Sequence, residues 1–465
     1  MIIFDPVMEI SQNDILTIKI DDLGVNGEGI GKHEGFTIFT DDAIIGDVVE
    51  AKVLIVKKNY ATAQLKKIVT PSKDRVEPQC EFHYRCGGCQ IQNLDYRSQL
   101  IYKQNKVKNN LVRTGGFSES LIDSVLQPIE AMENPFHYRN KALFPIGVSQ
   151  RGNPIAGFYA IRSHSIVSNT SCIVGASENE AVLNCILDFM NRFNVSAFNE
   201  NTRRGIVRHV LIRKAFATGQ LMVCVVVNAD KLPDADKLAA ALMQIDGMTS
   251  VSYCINKGMS NVIMGTRIIH LAGQKNITDF IGNVKFNISP LSFFQVNPLQ
   301  TQKLYAAALD FAALTGKEIV WDLYCGIGTI SLFLAQKARK VCGVEIVDVA
   351  IDDARKNALL NNIENAEFFC GKAEDVITDF YQKNSSQTPD VIVVDPPRKG
   401  CDKLCIETMI KVNPKKIVYV SCDPATLSRD LKILAAAGYQ LKKAMPVDMF
   451  PHTVHVETVV LMEKQ

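Results

Sequence analysis

Between residues 12 and 70 the apolar positions come in short runs that alternate with polar ones. ILTIKI (15–20), FTIFT (36–40), VVEAKVLIV (48–56) and ATAQLKKIV (61–69) are rich in β-branched residues. Turn-forming stretches, DDLGVNGEGIGKHEG and DDAIIGD, separate them. Short strands at this spacing predict a small β-barrel of the oligonucleotide-binding type. Pro71 and Pro78 close that module. From 93 to 114 the period lengthens, with Leu100, Val107 and Leu111 on one stripe of a polar helix. Residues 121–285 mix both periods. VRHVLIRKA and LMVCVVVNA read as a hairpin-like pair around ATGQ, preceded by the helical stretch EAVLNCILDFMNRF. This middle stretch shows no motif of recognised chemistry apart from one cysteine.

From about residue 286 strands and helices alternate. The strands are EIVWDL (318–323), VCGVEI (341–346), DVIVVD (390–395) and KIVYVS (416–421); ISLFLAQKA and VAIDDARKNALLNN are helical. That alternation predicts a parallel, doubly wound α/β sheet, whose ligands sit at the carboxyl ends of the strands. The fold class is thus multidomain α/β: a barrel, a central α+β domain and a Rossmann-like domain. The expected division is 1–70 for the barrel, 71–92 with 121–285 for the central domain, and 93–120 with 286–465 for the last. KNSSQTP (383–389) reads as a surface loop.

The chain has 465 residues, 47% hydrophobic and 22% charged, which excludes collagen, coiled coil and disorder throughout. No apolar run approaches the roughly 18 residues a membrane span requires, and MIIFDPVMEI lacks the basic lead of a signal peptide. No membrane partner is expected. Thirteen cysteines, an odd number, point to the reducing cytoplasm. The net charge of +2 conceals an asymmetry. Residues 1–50 hold two Lys against eleven Asp and Glu, whereas 51–113 hold thirteen Lys and Arg against four Asp and Glu. A basic stretch serves as a polyanion footprint or as a solvated face.

Four motifs fall at strand ends. Asp322-Leu-Tyr-Cys-Gly326-Ile-Gly328-Thr329 joins a strand to a helix, and its glycines let a ligand approach the backbone. The third glycine of a dinucleotide fingerprint and a P-loop lysine are both missing, so a nucleoside without pyrophosphate, such as S-adenosylmethionine, fits better than NAD or ATP. Glu345 ends the next strand, where a carboxylate accepts ribose hydroxyls. Asp395-Pro396-Pro397-Arg398 makes a rigid turn with a carboxylate at the crevice. Cys422, in Ser421-Cys-Asp-Pro424, follows a buried strand and precedes a helix, a placement that suits a nucleophile. Cys325 and Cys401 read as packing and loop thiols. In Phe450-Pro-His452-Thr-Val-His455-Val-Glu457, Glu457 is the best-placed base, with the two histidines as alternatives. The remaining motif, Cys80-x5-Cys86-Gly-Gly-Cys89, is a metal signal, with Cys172 as the chosen fourth ligand; zinc and [4Fe–4S] both accept four thiolates.

Nearly the whole chain resembles the bacterial 23S rRNA uracil-C5 methyltransferases that carry a TRAM domain and an iron–sulfur cluster. The resemblance rests on the barrel, CEFHYRCGGCQ, FFQVN (293–297), DLYCGIGTISL, VVDPPRKG, SCDPATLSRD and FPHTVHVE. It implies that Gln295, Tyr324, Thr329, Glu345 and Asp395 contact S-adenosylmethionine. It makes Cys422 the nucleophile at uracil C6 and Glu457 the base. It assigns Cys80, Cys86, Cys89 and Cys172 to [4Fe–4S]. Lys372 departs from the smaller polar residue expected near the adenine. The related tRNA enzymes look to lack the barrel and the cluster cysteines, which favours rRNA; tRNA methylation is the alternative. Cytosine-C5 RNA enzymes carry a second cysteine after the proline pair. Here that position is Arg398, so uracil is preferred. RNA is the expected partner and a monomer the expected state. The rival classes are a radical or redox iron–sulfur enzyme, and an RNA-binding protein with an inactive methyltransferase fold.

Overall fold

A computed structural model describes residues 10–258, 260–383 and 388–465. The initial MIIFDPVME and most of the KNSSQTP loop therefore lie outside the described residues. The chain divides into two compact units: residues up to Tyr102 with Phe450–Val454, and Lys103–Met449 with His455–Gln465.

In the first unit β1 (Ile15–Leu23), β2 (Gly29–His33), β3 (Phe36–Thr40), β4 (Val48–Val56) and β5 (Tyr60–Thr70) close a barrel in the order β1-β2-β3-β5-β4. Alternate residues such as Ile18, Ile20, Ile38, Val49, Ala51, Val53, Ala61 and Ala63 point inward and form its core. Strand β2 lies inside a stretch that reads as a turn. It pairs with β1 because glycine admits the close approach: a Cβ on Gly31 would meet the Lys19 carbonyl oxygen at 2.2 Å. Where the chain leaves the barrel, buried Asp47 accepts the amides of Ile44 and Ser72 and a guanidinium hydrogen bond of 2.5 Å from Arg75. Burial alone would raise its pKa, but these donors hold the carboxyl below its usual range.

The second unit contains two seven-stranded sheets. The first comprises β6 (Lys141–Val148), β7 (Pro154–Tyr159), β8 (Ile166–Ser168), β9 (Val207–Lys214), β10 (Leu221–Val227), β11 (Met248–Ile255) and β12 (Arg267–Gly273). Its order is β12-β11-β10-β9-β6-β7-β8, and the expected β9–β10 pair is antiparallel. The helices Asn179–Arg192 and Ala235–Leu242 bury their apolar faces against it. A two-stranded ribbon, β13 (Ile277–Ile281) and β14 (Val284–Ile288), follows.

The second sheet comprises β15 (Ile319–Leu323), β16 (Lys340–Glu345), β17 (Ala366–Cys370), β18 (Val391–Val394), β19 (Lys416–Ser421), β20 (Tyr439–Val447) and β21 (Glu457–Lys464). Its order is β17-β16-β15-β18-β19-β21-β20. The strands β15 to β19 are mutually parallel, whereas β21 runs antiparallel to both β19 and β20. Every residue of β15 and β18 is buried, as expected of central strands covered on both faces. The antiparallel β21 brings its first residue to the edge where the parallel strands end.

A single buried ion pair anchors the approach to that edge. Lys103 Nζ donates to Asp448 Oδ1 at 2.5 Å, with both side chains fully enclosed. Gln300 Nε2 donates to the carbonyls of Glu130 and Asp448, and Asn297 Nδ2 to that of Met449. Asn297 also caps the helix Pro298–Ala312. No helix among the described residues is long and apolar enough to cross a membrane.

Removing one member of a buried ion pair costs more than replacing both members with apolar residues. Asp448→Ala is expected to destabilise the full chain by about 3–5 kcal/mol in urea unfolding, and Lys103→Met with Asp448→Leu together to recover much of that loss.

Candidate active site

Loops at one sheet edge build the site. The first follows β15. Tyr324 has φ +69°, and Gly326 and Gly328 have φ +55° and +83°, so the chain turns sharply before the helix Thr329–Ala335. Only glycine takes such angles without a Cβ penalty, and Tyr324 is therefore held in strained backbone. Beneath the turn, Asp322 is fully buried and accepts Ser331 Oγ at 2.5 Å; its Oδ1 has no hydrogen-bond partner among the described residues. Burial pushes the Asp322 carboxyl up to about 7, and neighbouring Asp395 adds to the shift. Glu345, at the end of β16, accepts the Gly326 amide at 3.3 Å and the Val347 amide at 3.0 Å. Its carboxylate is thereby fixed beside the glycine turn. Thr329 accepts the buried Tyr305 hydroxyl at 3.0 Å. The carbonyl of buried Gln295 accepts Asn140 Nδ2 at 2.8 Å.

The second loop, Asp395–Cys401, is tied down by a third. Gly400 N–H donates to the Pro397 carbonyl at 2.8 Å. Cys401 N–H and the Tyr419 hydroxyl both donate to buried Asp430 Oδ2, at 2.9 and 2.7 Å. Thr426 Oγ1 donates to the Arg398 carbonyl and Arg429 to that of Lys399. The turn carrying Asp395 and Arg398 is thus bolted to the helix Pro424–Ala436. That helix is capped by Asp423, which accepts the Ala425 and Thr426 amides at 2.9 Å, with proline in its first turn.

Cys422 sits between β19 and this cap, half-buried. The register Ser421↔Thr458 across β19 and β21 sets Cys422 beside Glu457, the first residue of β21. Glu457 is 3% exposed, and its Oε2 has no hydrogen-bond partner among the described residues. Burial pushes its pKa well above the usual carboxylate range, nearby Asp395 adds to this, and Arg398 opposes it. Burial raises the Asp395 carboxyl to about 7. The Cys422 thiol is pushed up to about 12, first by burial and then by the charges of Glu457 and Asp395, with Arg398 again opposing. His455, the alternative base, is held near 4 by burial and by Arg398, Lys106, Lys103 and Arg139, so it stays neutral.

The structure therefore gathers Cys422, Glu457 and Asp395 in one crevice, and places Tyr324 and Thr329 at the adjoining glycine turn with Glu345, at the end of β16, hydrogen-bonded to it. Arg398 and Asp322 are electrostatic members of the site that sequence reasoning did not single out as such. The sequence places Arg398 in the proline turn and in the position of a second cysteine; its proximity to Cys422 appears only in three dimensions. Asp322 carried a signal, a carboxylate inside the otherwise apolar strand IVWDL.

Of the cluster cysteines, Cys80, Cys86 and Cys89 lie on one run of turns in the first unit, all half-buried. Cys172 belongs to the second unit. The Gly88 amide donates to Cys86 Sγ at 3.4 Å, the kind of contact that steadies a metal-bound thiolate. Among the described residues no three side chains are arranged around a common metal position.

A parallel sheet with a glycine turn after its first strand and an acid ending the next, extended by an antiparallel strand, is the S-adenosylmethionine-dependent methyltransferase fold. The family model "TRAM domain" matches residues 11–66, and "tRNA (Uracil-5-)-methyltransferase" matches 276–465. An RNA methyltransferase of Clostridium tetani, itself uncharacterised, is 47% identical over 97% of each chain. One of Staphylococcus epidermidis is 43% identical over 98% of this chain and 99% of its own. The crystal structure of Pyrococcus abyssi tRNA (uracil-54, C5)-methyltransferase with S-adenosyl-L-homocysteine superposes with a TM-score of 0.77. It is 27% identical and covers 96% of this chain and 100% of its own. The protein belongs to the RNA uracil-5 methyltransferase family, in the form that carries a TRAM domain. Coverage that complete must include the barrel, so the barrel does not separate rRNA from tRNA enzymes.

The electrostatics of Cys422 are open to measurement. Its thiolate forms only at high pH in the free protein, so alkylation by iodoacetamide is expected to accelerate steadily from pH 7 to beyond 10. At fixed pH, Arg398→Met should slow it several-fold and Glu457→Gln should speed it, since the first removes a stabilising charge and the second a repelling one.

Proposed function

We propose that the protein methylates C5 of a specific uridine in 23S rRNA through a covalent adduct of Cys422 at C6. The observation that carries this reading is that Cys422, next after the Ser421↔Thr458 pair, lies close to Glu457, with Asp395 and Arg398 acting on both. S-adenosylmethionine supplies an electrophilic methyl on a cationic sulfonium and leaves as the neutral thioether. Gln295, Tyr324, Thr329, Glu345 and Asp395 are the residues proposed to hold it, with Glu345 fixed at the glycine turn to accept ribose hydroxyls.

Uracil C5 is a weak nucleophile. Attack by the Cys422 sulfur on C6 moves the C5–C6 π electrons towards C5 as an enolate, and C5 then takes the methyl group. Glu457 removes the C5 proton. The freed electron pair restores the C5–C6 double bond and expels the cysteine sulfur. The covalent route divides one difficult step into easier ones. The target base must first leave its stack, at a cost of a few kcal/mol. Arg398 is a cation near Cys422 among these acids, and it lowers the energy of the thiolate that attacks.

For the RNA partner, the support is the TRAM barrel together with the basic stretch 51–113, which suits phosphate binding. The resemblance at CEFHYRCGGCQ favours 23S rRNA. A second reading, tRNA, is favoured by the printed substrate of the Pyrococcus abyssi structure. The three thiols of residues 80–89, with an amide aimed at one sulfur, are the proposed seat of a [4Fe–4S] cluster completed by Cys172. This cluster has no redox step to perform in the reaction, so its role is to fold an RNA-binding lobe.

Loss of a general base costs about 10²–10⁴-fold in rate. Glu457→Gln is therefore expected to accumulate a denaturant-stable protein–RNA adduct whose mass includes the added methyl, whereas Cys422→Ala should form none. An adduct that fails to accumulate in Glu457→Gln would remove Glu457 as the base. Protein purified without oxygen should carry about four irons per chain, and Cys86→Ser should lose the iron and weaken RNA binding about tenfold or more while still binding S-adenosylmethionine. Stoichiometric zinc, or unchanged RNA affinity in the iron-free variant, would contradict the cluster assignment.

A further inference from the structure

The central sheet holds a cavity of about 630 Å³ at the β6–β7–β8 edge, within the size range of small-ligand sites. Its floor is apolar, with Ile146, Ile155 and Ile166. Its functional groups come from separate segments. Tyr159 ends β7, His164 lies in the following loop, Glu200 in the loop before β9, and His209 within β9. The rings of Tyr159 and His164 stack at 4.9 Å with 21° between their planes. Both grip one carboxylate: Glu200 Oε1 accepts the Tyr159 hydroxyl at 3.1 Å, and Oε2 is 2.8 Å from His164 Nδ1. Burial works against the Glu200 charge, but these two partners hold the carboxyl below its usual range, so it is ionised. His209 is 6% exposed, lines the cavity, and its Nδ1 has no hydrogen-bond partner among the described residues. Burial lowers it to about 4, so the ring is neutral and able to accept or donate. The Arg208 guanidinium covers the Phe198 ring at 4.8 Å on the same wall.

These features match what an unstacked nucleobase requires: flat aromatic surface, an apolar floor, and a few fixed polar groups. The loops forming the rim carry Arg151, Arg162, Arg203 and Arg204, all exposed, which suits the phosphates on either side of such a base. The carboxylate decides which base. Glu200 accepts only, and each of its oxygens keeps a lone pair after the contacts with Tyr159 and His164. Guanine alone among the four bases presents two adjacent donors, N1–H and the N2 amine, to a carboxylate.

We propose that this cavity is a second RNA-binding site that takes an unpaired guanine nucleotide of the substrate, with Glu200 reading its N1–H and N2 amine edge. The inference rests on RNA as the partner, but it concerns a site distinct from the methyl-transfer crevice. It accounts for how the enzyme fixes the register of a structured RNA while the target uridine is drawn out elsewhere.

The test is binding of GMP, IMP, AMP, CMP and UMP to the full-length protein by ligand-observed NMR titration, in a Cys422→Ala background so that no reaction intervenes. GMP is expected to bind at least about tenfold more tightly than AMP, CMP or UMP, the discrimination a good bidentate pair supplies. IMP, which lacks the N2 amine, should fall between. Glu200→Gln should bring GMP to within about twofold of AMP, with an unchanged unfolding temperature showing that the fold persists. Equal affinities for the nucleotides, IMP binding as well as GMP, or a GMP preference that survives Glu200→Gln would each overturn the proposal. The assay involves no methyl transfer. Failure here beside an active enzyme removes the pocket alone, and guanine binding beside an inactive enzyme upholds the pocket while the catalytic reading falls.

Discussion

Three carboxyl groups and a thiol share a poorly hydrated crevice with the Arg398 guanidinium, which acts on the thiol. Asp322, Asp395 and Glu457 are all pushed towards the protonated form, chiefly by burial, and Cys422 is pushed towards the thiol by the same burial and by two of those acids. Such crowding is costly in a merely structural setting, because buried charges without partners lose their hydration. Strong perturbation of several groups at one strand edge marks a site of chemistry. It also makes the resting site hospitable to a cation. Any cation bound beside these acids relieves their mutual repulsion and favours the thiolate.

The topology makes this crowding unavoidable. Parallel strands β15, β16, β18 and β19 all deliver their final residues to one edge, and the antiparallel β21 begins there. A slip of one residue in the β19–β21 register would turn Glu457 to the opposite face of the sheet. The register is held at one end by Ser421↔Thr458 and at the other by Lys416↔Glu463. The loop bearing Asp395 and Arg398 has its own restraint in buried Asp430, which accepts Cys401 N–H and the Tyr419 hydroxyl. A site that depends on mutually interacting charges needs rigid support, and here it comes from backbone pairing and a buried carboxylate.

The elements that build this edge were legible because they obey simple periodicities. Runs such as IVWDL, VIVV and KIVYVS read as buried parallel strands, and the chemistry-bearing residues stand at their ends. Other parts were hidden for physical reasons. Strand β2 is glycine-rich, and its strand character comes from how closely it packs on β1. Strands β17 and β20, AEFFC and YQLKKAMPV, mix polar and apolar residues as edge strands do and carry no clear alternation. The electrostatic role of Arg398 depends on folding and not on spacing. In the central domain no motif was visible, because Tyr159, His164, Glu200 and His209 come from four segments that only the sheet unites. The barrel was legible as a fold and misleading as a guide to substrate, since a tRNA enzyme of similar structure covers nearly the whole chain.

The central claim is that Cys422 drives methylation at uridine C5. The most direct measurement is tritium release from [5-³H]uridine-labelled 23S rRNA and, separately, tRNA, by the wild-type protein and Cys422→Ala, with and without S-adenosylmethionine. The account predicts release from 23S rRNA that requires both the methyl donor and Cys422. Release that persists in Cys422→Ala, or no release from either RNA by a folded wild-type protein, would contradict it.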